Sequence, residues 1–281
     1  MIIKVLIGLA IALTFFFIAK RAQPIADRSG TSLPDPPSLL SSEQSPLLKV
    51  ATFNIQTGKT NDGVRNIHGA AELIQDQHLI GIQEIYAPGW INKLGLTNFS
   101  QSQLNALIAG TAFGGLFSAT RRRWFREQRG NAILSRLPIS KWQIIALPDC
   151  SGKSFRNMTV IEFEWQNTPI TFINTHLHTG KGREEQLDKV LAEFAKHPIA
   201  ILVGDFNSRR DTQALTDALL DQQIDDAITS AQIDTHDPVQ RIDWILTKGF
   251  TAQSGKAIGK GISDHPYYEV SLNLINRHNV N

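Results

Sequence analysis

Short apolar runs recur from Leu48 to Leu274, and several stop abruptly at a carboxylate, an amide or a histidine. Ala200-Ile201-Leu202-Val203 gives way to Gly204-Asp205-Phe206-Asn207, Leu79-Ile80-Gly81-Ile82 to Gln83-Glu84, and Ile170–Thr175 to His176. Runs of this length bounded by turn residues predict buried strands. Trp142–Leu147, Val160–Trp165 and Ile170–Thr175 follow one another with no helix between them, which a doubly wound parallel sheet does not allow. Further strands are predicted at 48–55, 117–120, 131–135, 242–246 and 267–274. Helical spacing appears in Val64–Gln77, Ser100–Leu107, Glu184–Ala195 and Thr212–Leu220, with Ser100 and Asp211 as caps. The pattern suits two packed sheets with helices outside.

The ends of the chain set the boundaries of this domain. Val5–Ala19 is uncharged and apolar, preceded by Lys4 and followed by Lys20-Arg21. Fifteen helical residues cover about 22 Å, short of a roughly 30 Å hydrocarbon core, and counting from Ile2 brings the segment close to it. Pro24 stands where a signal-peptidase site wants a small residue, so 1–21 is read as an uncleaved signal-anchor, a single N-terminal span. Residues 22–47 hold Pro24, Pro34, Pro36, Pro37 and Pro46 and read as a Pro/Ser linker. The folded domain is placed at 48–275, with a polar tail at 276–281. A short N-terminus, an anchor and such a linker favour an extracytoplasmic domain on a membrane-anchored monomer. The formal charge of +2 argues by itself for neither nucleic acid nor membrane, and the lone Cys150 excludes a disulfide framework or a Cys-based zinc cluster.

The strand ends carry the chemistry. They supply Asn54, Glu84, His176, Asp205, Asn207, Asp243, Asp264 and His265. Oxygen ligands with few histidines suit a hard cation, Mg2+ or Mn2+, rather than zinc. Asp243 lies inside an apolar strand, where a carboxylate needs a partner, and His265 is the expected one. His178 is two residues beyond His176 and is open between supporting the site and facing solvent. His68, His78, His197 and His236 have no motif around them and are expected at the surface.

Thr52-Phe53-Asn54, Ile82-Gln83-Glu84, Gly130 to Arg136, Asn174-Thr175-His176-Leu177, Gly204 to Asn207, Arg241-Ile242-Asp243 and Ser263-Asp264-His265 occur in this order. Together they resemble the endonuclease/exonuclease/phosphatase superfamily, on its deoxyribonuclease and sphingomyelinase side. The resemblance implies an α+β fold, a four-layer α/β/β/α sandwich of two mixed sheets flanked by helices. It also implies metal-dependent phosphoester hydrolysis at one end of the sheets. Glu84 would be the principal metal ligand, with Asn54 and Asp264 completing its surroundings. Asp205 would orient and deprotonate the attacking water, and Asn207 would hold a phosphate oxygen. His265, its tautomer fixed by Asp243, would contact the scissile phosphate. His176 would stabilise the phosphorane or protonate the leaving oxygen.

Residues 120–129 hold five arginines and the pair Trp124-Phe125. One reading is a solvated basic loop or aromatics packed on the domain. The other is a rim that contacts substrate through Arg121, Arg122, Arg123, Arg129 and Asn131, with Arg156 added by family analogy. Nucleic acid is favoured over phospholipid or inositol phosphate as substrate, and a catalytically silent scaffold is disfavoured because every expected polar position is filled. Replacing Arg121, Arg122 and Arg123 together by Ala should raise KM for polyanions and flatten its salt dependence; an unchanged slope of log KM against log salt would show that the loop touches no substrate.

Overall fold

A computed structural model describes residues 2–20, 23–31, 45–60, 62–94, 101–122, 127–149, 155–235 and 237–275. In chain order the helix α1 (Ile2–Lys20) is followed by β1 (Gln23–Pro24), β2 (Arg28–Thr31) and β3 (Leu48–Asn54). Next come α2 (Ile67–Leu73), β4 (Leu79–Ala87), α3 (Trp90–Lys93), α4 (Gln103–Ile108), β5 (Gly114–Ala119), β6 (Arg121–Arg122) and β7 (Gln128–Ser135). The hairpins of β8 (Ile139–Ala146), β9 (Asn157–Trp165) and β10 (Thr168–His176) lead to α5 (Arg183–Ala195), β11 (Ala200–Asp205) and α6 (Gln213–Leu220). The chain closes with β12 (Asp225–Asp226), α7 (Ala227–Ser230), β13 (Asp243–Lys248), β14 (Phe250–Ile258) and β15 (Tyr267–Leu274).

The strands form a seven-stranded sheet ordered β12-β13-β11-β10-β9-β8-β2, a six-stranded sheet ordered β14-β15-β3-β4-β7-β5, and a β1-β6 ribbon. Three apolar layers separate four layers of structure. The inner faces of both sheets meet through Val50, Leu79, Ile133, Ile161, Phe172 and Ile201. Leu187, Val190, Phe194 and Leu215 seal α5 and α6 onto one outer face. Ala70, Ile74 and Leu107 seal the α2 and α4 region onto the other. Burying each large side chain contributes about 1.5–3 kcal/mol.

The topology brings the polar strand ends together. β3 and β4 run parallel with Asn54 opposite Gln83, and β10 and β11 run parallel with His176 opposite Asp205. Parallel neighbours end on the same edge, so these four residues share one rim. Antiparallel partners contribute their starts to it: Asp243 of β13 sits opposite Asp205, and Ser263–His265 precede β15, which pairs with β3. Two glycines permit the close approaches behind this rim. A Cβ on Gly204 would sit 2.0 Å from the Thr175 carbonyl oxygen, and one on Gly81 would sit 2.7 Å from Asn174 Oδ1.

Several expectations need correction. Residues 23–24 and 28–31, assigned to the linker, are paired strands; 32–44 lie outside the described residues. Among the described residues no helix is long and apolar enough to cross a membrane, so the fold lends no support to the expected spanning anchor. The helix expected over Val64–Gln77 is confined to Ile67–Leu73, capped by the Asn66 side chain, and Ser102 caps α4. At α6 Thr212 takes the cap position expected of Asp211. β14 was not foreseen, since its Thr, Gln, Ser and Lys face solvent and break the apolar pattern. His78 is buried: its Nδ1 accepts from the Lys49 amide at 2.9 Å and its ring packs 5.0 Å from that of Trp165.

Gly204→Ala should cost about 1–3 kcal/mol or more, because the methyl meets backbone rather than a movable side chain. An unchanged urea midpoint would contradict this packing.

Candidate active site

Asp205 ends β11 with both carboxylate oxygens engaged. Oδ1 accepts from the Asn207 amide at 2.9 Å, and Oδ2 accepts from Asn54 Nδ2 at 3.0 Å. The Nε2 atoms of His176 and His265 lie 3.4 Å and 3.7 Å from Oδ2. The other nitrogen of His265, Nδ1, lies 2.9 Å from Asp243 Oδ2. An Asp243–His265–Asp205 chain therefore crosses from one sheet to the other and back.

Burial and charge divide these groups by protonation state. Burial, then the neighbouring Asp243 carboxylate, pushes Asp205 up to about 7 against the pull of His265 and two hydrogen bonds. Burial opposes charge on His265, but the Asp243 hydrogen bond and the Asp243, Asp205 and Asp264 carboxylates overcome it and raise the group to about 9. His176 is held well below the usual histidine range, first by burial and then by the charges of Arg156, His265 and His178. Near neutral pH His265 is thus an imidazolium and His176 a neutral ring.

Glu84 stands on the other side of Asn54, whose Nδ2 lies 3.5 Å from Glu84 Oε1. A β-bulge between Ile82 and Ile85 holds Glu84 at φ 56°, a strained setting for a residue with a Cβ and one typical of functional positions. Glu84 and His176 line a cavity of about 210 Å3 with Thr57, Arg121, Arg129, Asn131 and Arg156.

The donor set fits a hard divalent cation. Asp205, Asp243 and His265 place ligand-type atoms within 4.8 Å of one another. His265, however, is protonated between two carboxylates and offers a metal no lone pair. The carboxylates of Glu84 and Asp205, which meet the Asn54 amide from two sides, form the better set; Asn54 faces them through Nδ2, while its Oδ1 accepts from the Gln56 amide at 3.1 Å. Two buried carboxylates side by side, with Asp243 Oδ1 lacking a hydrogen-bond partner among the described residues, also call for added positive charge nearby.

Of the expected site residues, Asn54, Glu84, His176, Asp205, Asn207, Asp243 and His265 gather at this rim, and Arg121, Arg129, Asn131 and Arg156 line the adjoining cavity. Asp264 is exposed and tied to Gln56 Nε2 at 2.8 Å, outside the compact triad. One amide proton of Asn207 goes to the Leu177 carbonyl at 3.1 Å, so only part of its amide is free for a phosphate. The Arg122 side chain and Arg123 to Arg126 lie outside the described residues.

Supporting residues went unread in the motifs. Asn174 donates to the Ile82 and Ala132 carbonyls at 3.2 and 2.8 Å and accepts from Gln83 Nε2 at 2.8 Å, cross-linking the two sheets behind the site. Phe206 stacks on Trp244, Trp244 Nε1 donates to the Ser208 carbonyl, and Arg241 lies over Trp244 while pairing with buried Asp226. Ser263 Oγ donates to the Asn54 carbonyl at 2.6 Å and accepts from the His265 amide at 3.2 Å, joining the metal and histidine sides.

Solved structures of low sequence identity share this fold. A Leptotrichia buccalis endonuclease/exonuclease/phosphatase family protein matches at 19% identity and TM-score 0.65, covering 80% of this chain and 99% of that one. D. rerio TDP2, solved with a single-strand DNA product, matches at 16% identity and TM-score 0.60 over 81% and 99%. A Bacteroides thetaiotaomicron mannosyl-6-phosphatase matches at 19% identity and TM-score 0.58 over 80% and 99%. No curated protein sequence matches the chain. The sequence profile of the Endonuclease/Exonuclease/phosphatase family matches residues 51–265, most of the folded domain. The chain therefore belongs to the endonuclease/exonuclease/phosphatase family, whose members hydrolyse phosphoesters with the help of divalent metal ions.

Proposed function

We propose that this chain is a Mg2+- or Mn2+-dependent phosphodiesterase that cleaves nucleic acid by in-line attack of water. The Asp243–His265–Asp205 chain, opening beside the Glu84 and arginine-lined cavity, carries this reading. A bound divalent ion would neutralise a non-bridging and the departing phosphate oxygen. Ionised Asp205 takes a proton from water as the water oxygen bonds to phosphorus and the bond to the leaving oxygen breaks. His265, kept protonated by Asp243, donates through Nε2 to a phosphate oxygen. Neutral His176 gives a hydrogen bond without competing for that proton, a role that replaces the expected proton donation to the leaving oxygen. Arg156 brings fixed positive charge beside Glu84 and Asp205. Arg121 and Arg129 on the cavity wall, with the arginine-rich segment they flank, suit a polyanion, and the structural relative with a DNA product is consistent with that substrate.

A second reading, hydrolysis of a phospholipid or inositol phosphate by the same groups, draws support from the apolar helix α1 near the basic strand β6. We also propose that α1 attaches the enzyme to a membrane.

Activity on plasmid DNA and on a generic phosphodiester should require added Mg2+ and vanish with EDTA. Asp205→Ala and His265→Ala, each confirmed folded, should lower kcat by on the order of a hundredfold or more; retention of activity by both variants would refute the assignment.

The pH profile offers a separate check. Asp205 works ionised, so kcat/KM should fall as pH drops below about 7. His265 works protonated, so kcat/KM should fall again above about 9. A cation beside Asp205 favours its carboxylate, so the acid limb should move to lower pH as Mg2+ rises. A profile with no alkaline limb would contradict the role of His265.

A further inference from the structure

The segment after α1 is not a free tether. β1 pairs antiparallel with β6, Gln23 opposite Arg122 and Pro24 opposite Arg121. Asp27 Oδ1 then accepts from the Ala146 amide at 2.7 Å, and β2 adds to the edge of the seven-stranded sheet beside β8. Gly30 fits this edge because it lies over the Trp142 indole, where a Cβ would be 2.6 Å from the ring. Residues 23–31 are thus stitched to the domain at the basic strand, at Ala146 and along β8.

The helix that precedes this segment is apolar on every side. Side chains 3–17 of α1 are all exposed, with Leu6 at 61% and Phe17 at 68%. A helix apolar around its whole circumference is covered either by a protein interior or by lipid, and among the described residues no protein layer covers it. Three residues from Lys20 to Gln23 reach at most about 11 Å, and paired strands lie about 4.8 Å apart. The C-terminal end of α1 is therefore within about 16 Å of the Arg122 backbone, next to Arg121 on the wall of the catalytic cavity. Lys20 and Arg21 follow the apolar run, and Arg121, Arg122 and Arg129 belong to the neighbouring rim strands, a charge pattern complementary to anionic headgroups.

We propose that residues 23–31 form a rigid strap that seats the mouth of the catalytic cavity on an anionic lipid surface into which α1 inserts. The strap requires α1 to enter the lipid, not to cross it. It deepens the membrane attachment proposed above and stands whether or not the cavity hydrolyses a phosphoester, because its readouts are binding and proximity.

The test uses the full chain with Cys150 replaced by Ser and one fluorophore on Gln128→Cys at the rim or Glu164→Cys at the opposite end of the sheets. Vesicles of phosphatidylcholine with phosphatidylglycerol should bind the chain, and headgroup-quencher lipids should dim the label at 128 several-fold more than the label at 164. Failure to co-sediment with these vesicles, or equal quenching at both positions, overturns the proposal. Gly30→Leu, which the Trp142 ring does not admit, should leave vesicle binding intact and erase the difference between the labels. Asp27→Ala, a milder change, should reduce that difference at unchanged Tm. Persistence of the full difference in a folded Asp27→Ala, Gly30→Leu double variant shows that the strap does not orient the domain.

Discussion

Two buried carboxylates, Asp205 and Asp243, face each other across adjacent strands, and the site depends on how their charge is balanced. Burial and the Asp243 charge push Asp205 toward the neutral acid. His265 opposes this by sitting between the two carboxylates as an imidazolium, while Asn54 and the Asn207 amide donate to Asp205. The donors come from both sheets, so the charge balance requires the sheets to hold their mutual position. Asn174 and Gln83 do this in the interior, and Ser263 does it at the rim. The same arrangement explains the contrast between the histidines. His265 is held by the Asp243 hydrogen bond and nearby carboxylates and gains a proton, whereas His176, beside the same Asp205 oxygen, is held neutral first by its burial and then by the Arg156 charge.

The scaffold stores strain where the chemistry needs a fixed geometry. Glu84 and Asn207 both have positive φ, and each is held by packing on either side. Ile82 and Ile85 bracket the first, and Phe206, pressed on Trp244, braces the second. Arg241, which motif reading groups with Asp243, instead serves this bracing through Trp244 and Asp226.

Much of this was legible in the sequence because buried strands announce themselves by unbroken apolar runs, and the polar residue ending each run marks the rim. That logic placed Asn54, Glu84, His176 and Asp205 at the rim without a structure, and the need of a carboxylate in an apolar strand for a partner joined Asp243 to His265. It missed Asn174, which looks like one more polar residue in a motif until a second sheet lies opposite it. It misplaced His78, whose burial arises only from the distant Trp165. It read residues 23–31 as linker because edge strands of Arg, Ser, Gly and Thr bury little and carry no periodic signal. Helix ends moved by several residues where a cap such as Asn66 overrides propensity.

The division of protons between the two rim histidines is the most direct point at which to test the electrostatics of the site. Nitrogen NMR of the imidazoles, followed from pH 5 to 10 in metal-free protein, reads it without reference to any substrate. His265 should stay protonated until about pH 9 and titrate markedly lower in Asp243→Asn, while His176 stays neutral throughout. A His265 that titrates near the ordinary histidine value of about 6.5 and ignores the loss of Asp243 would contradict the balance on which the site is built.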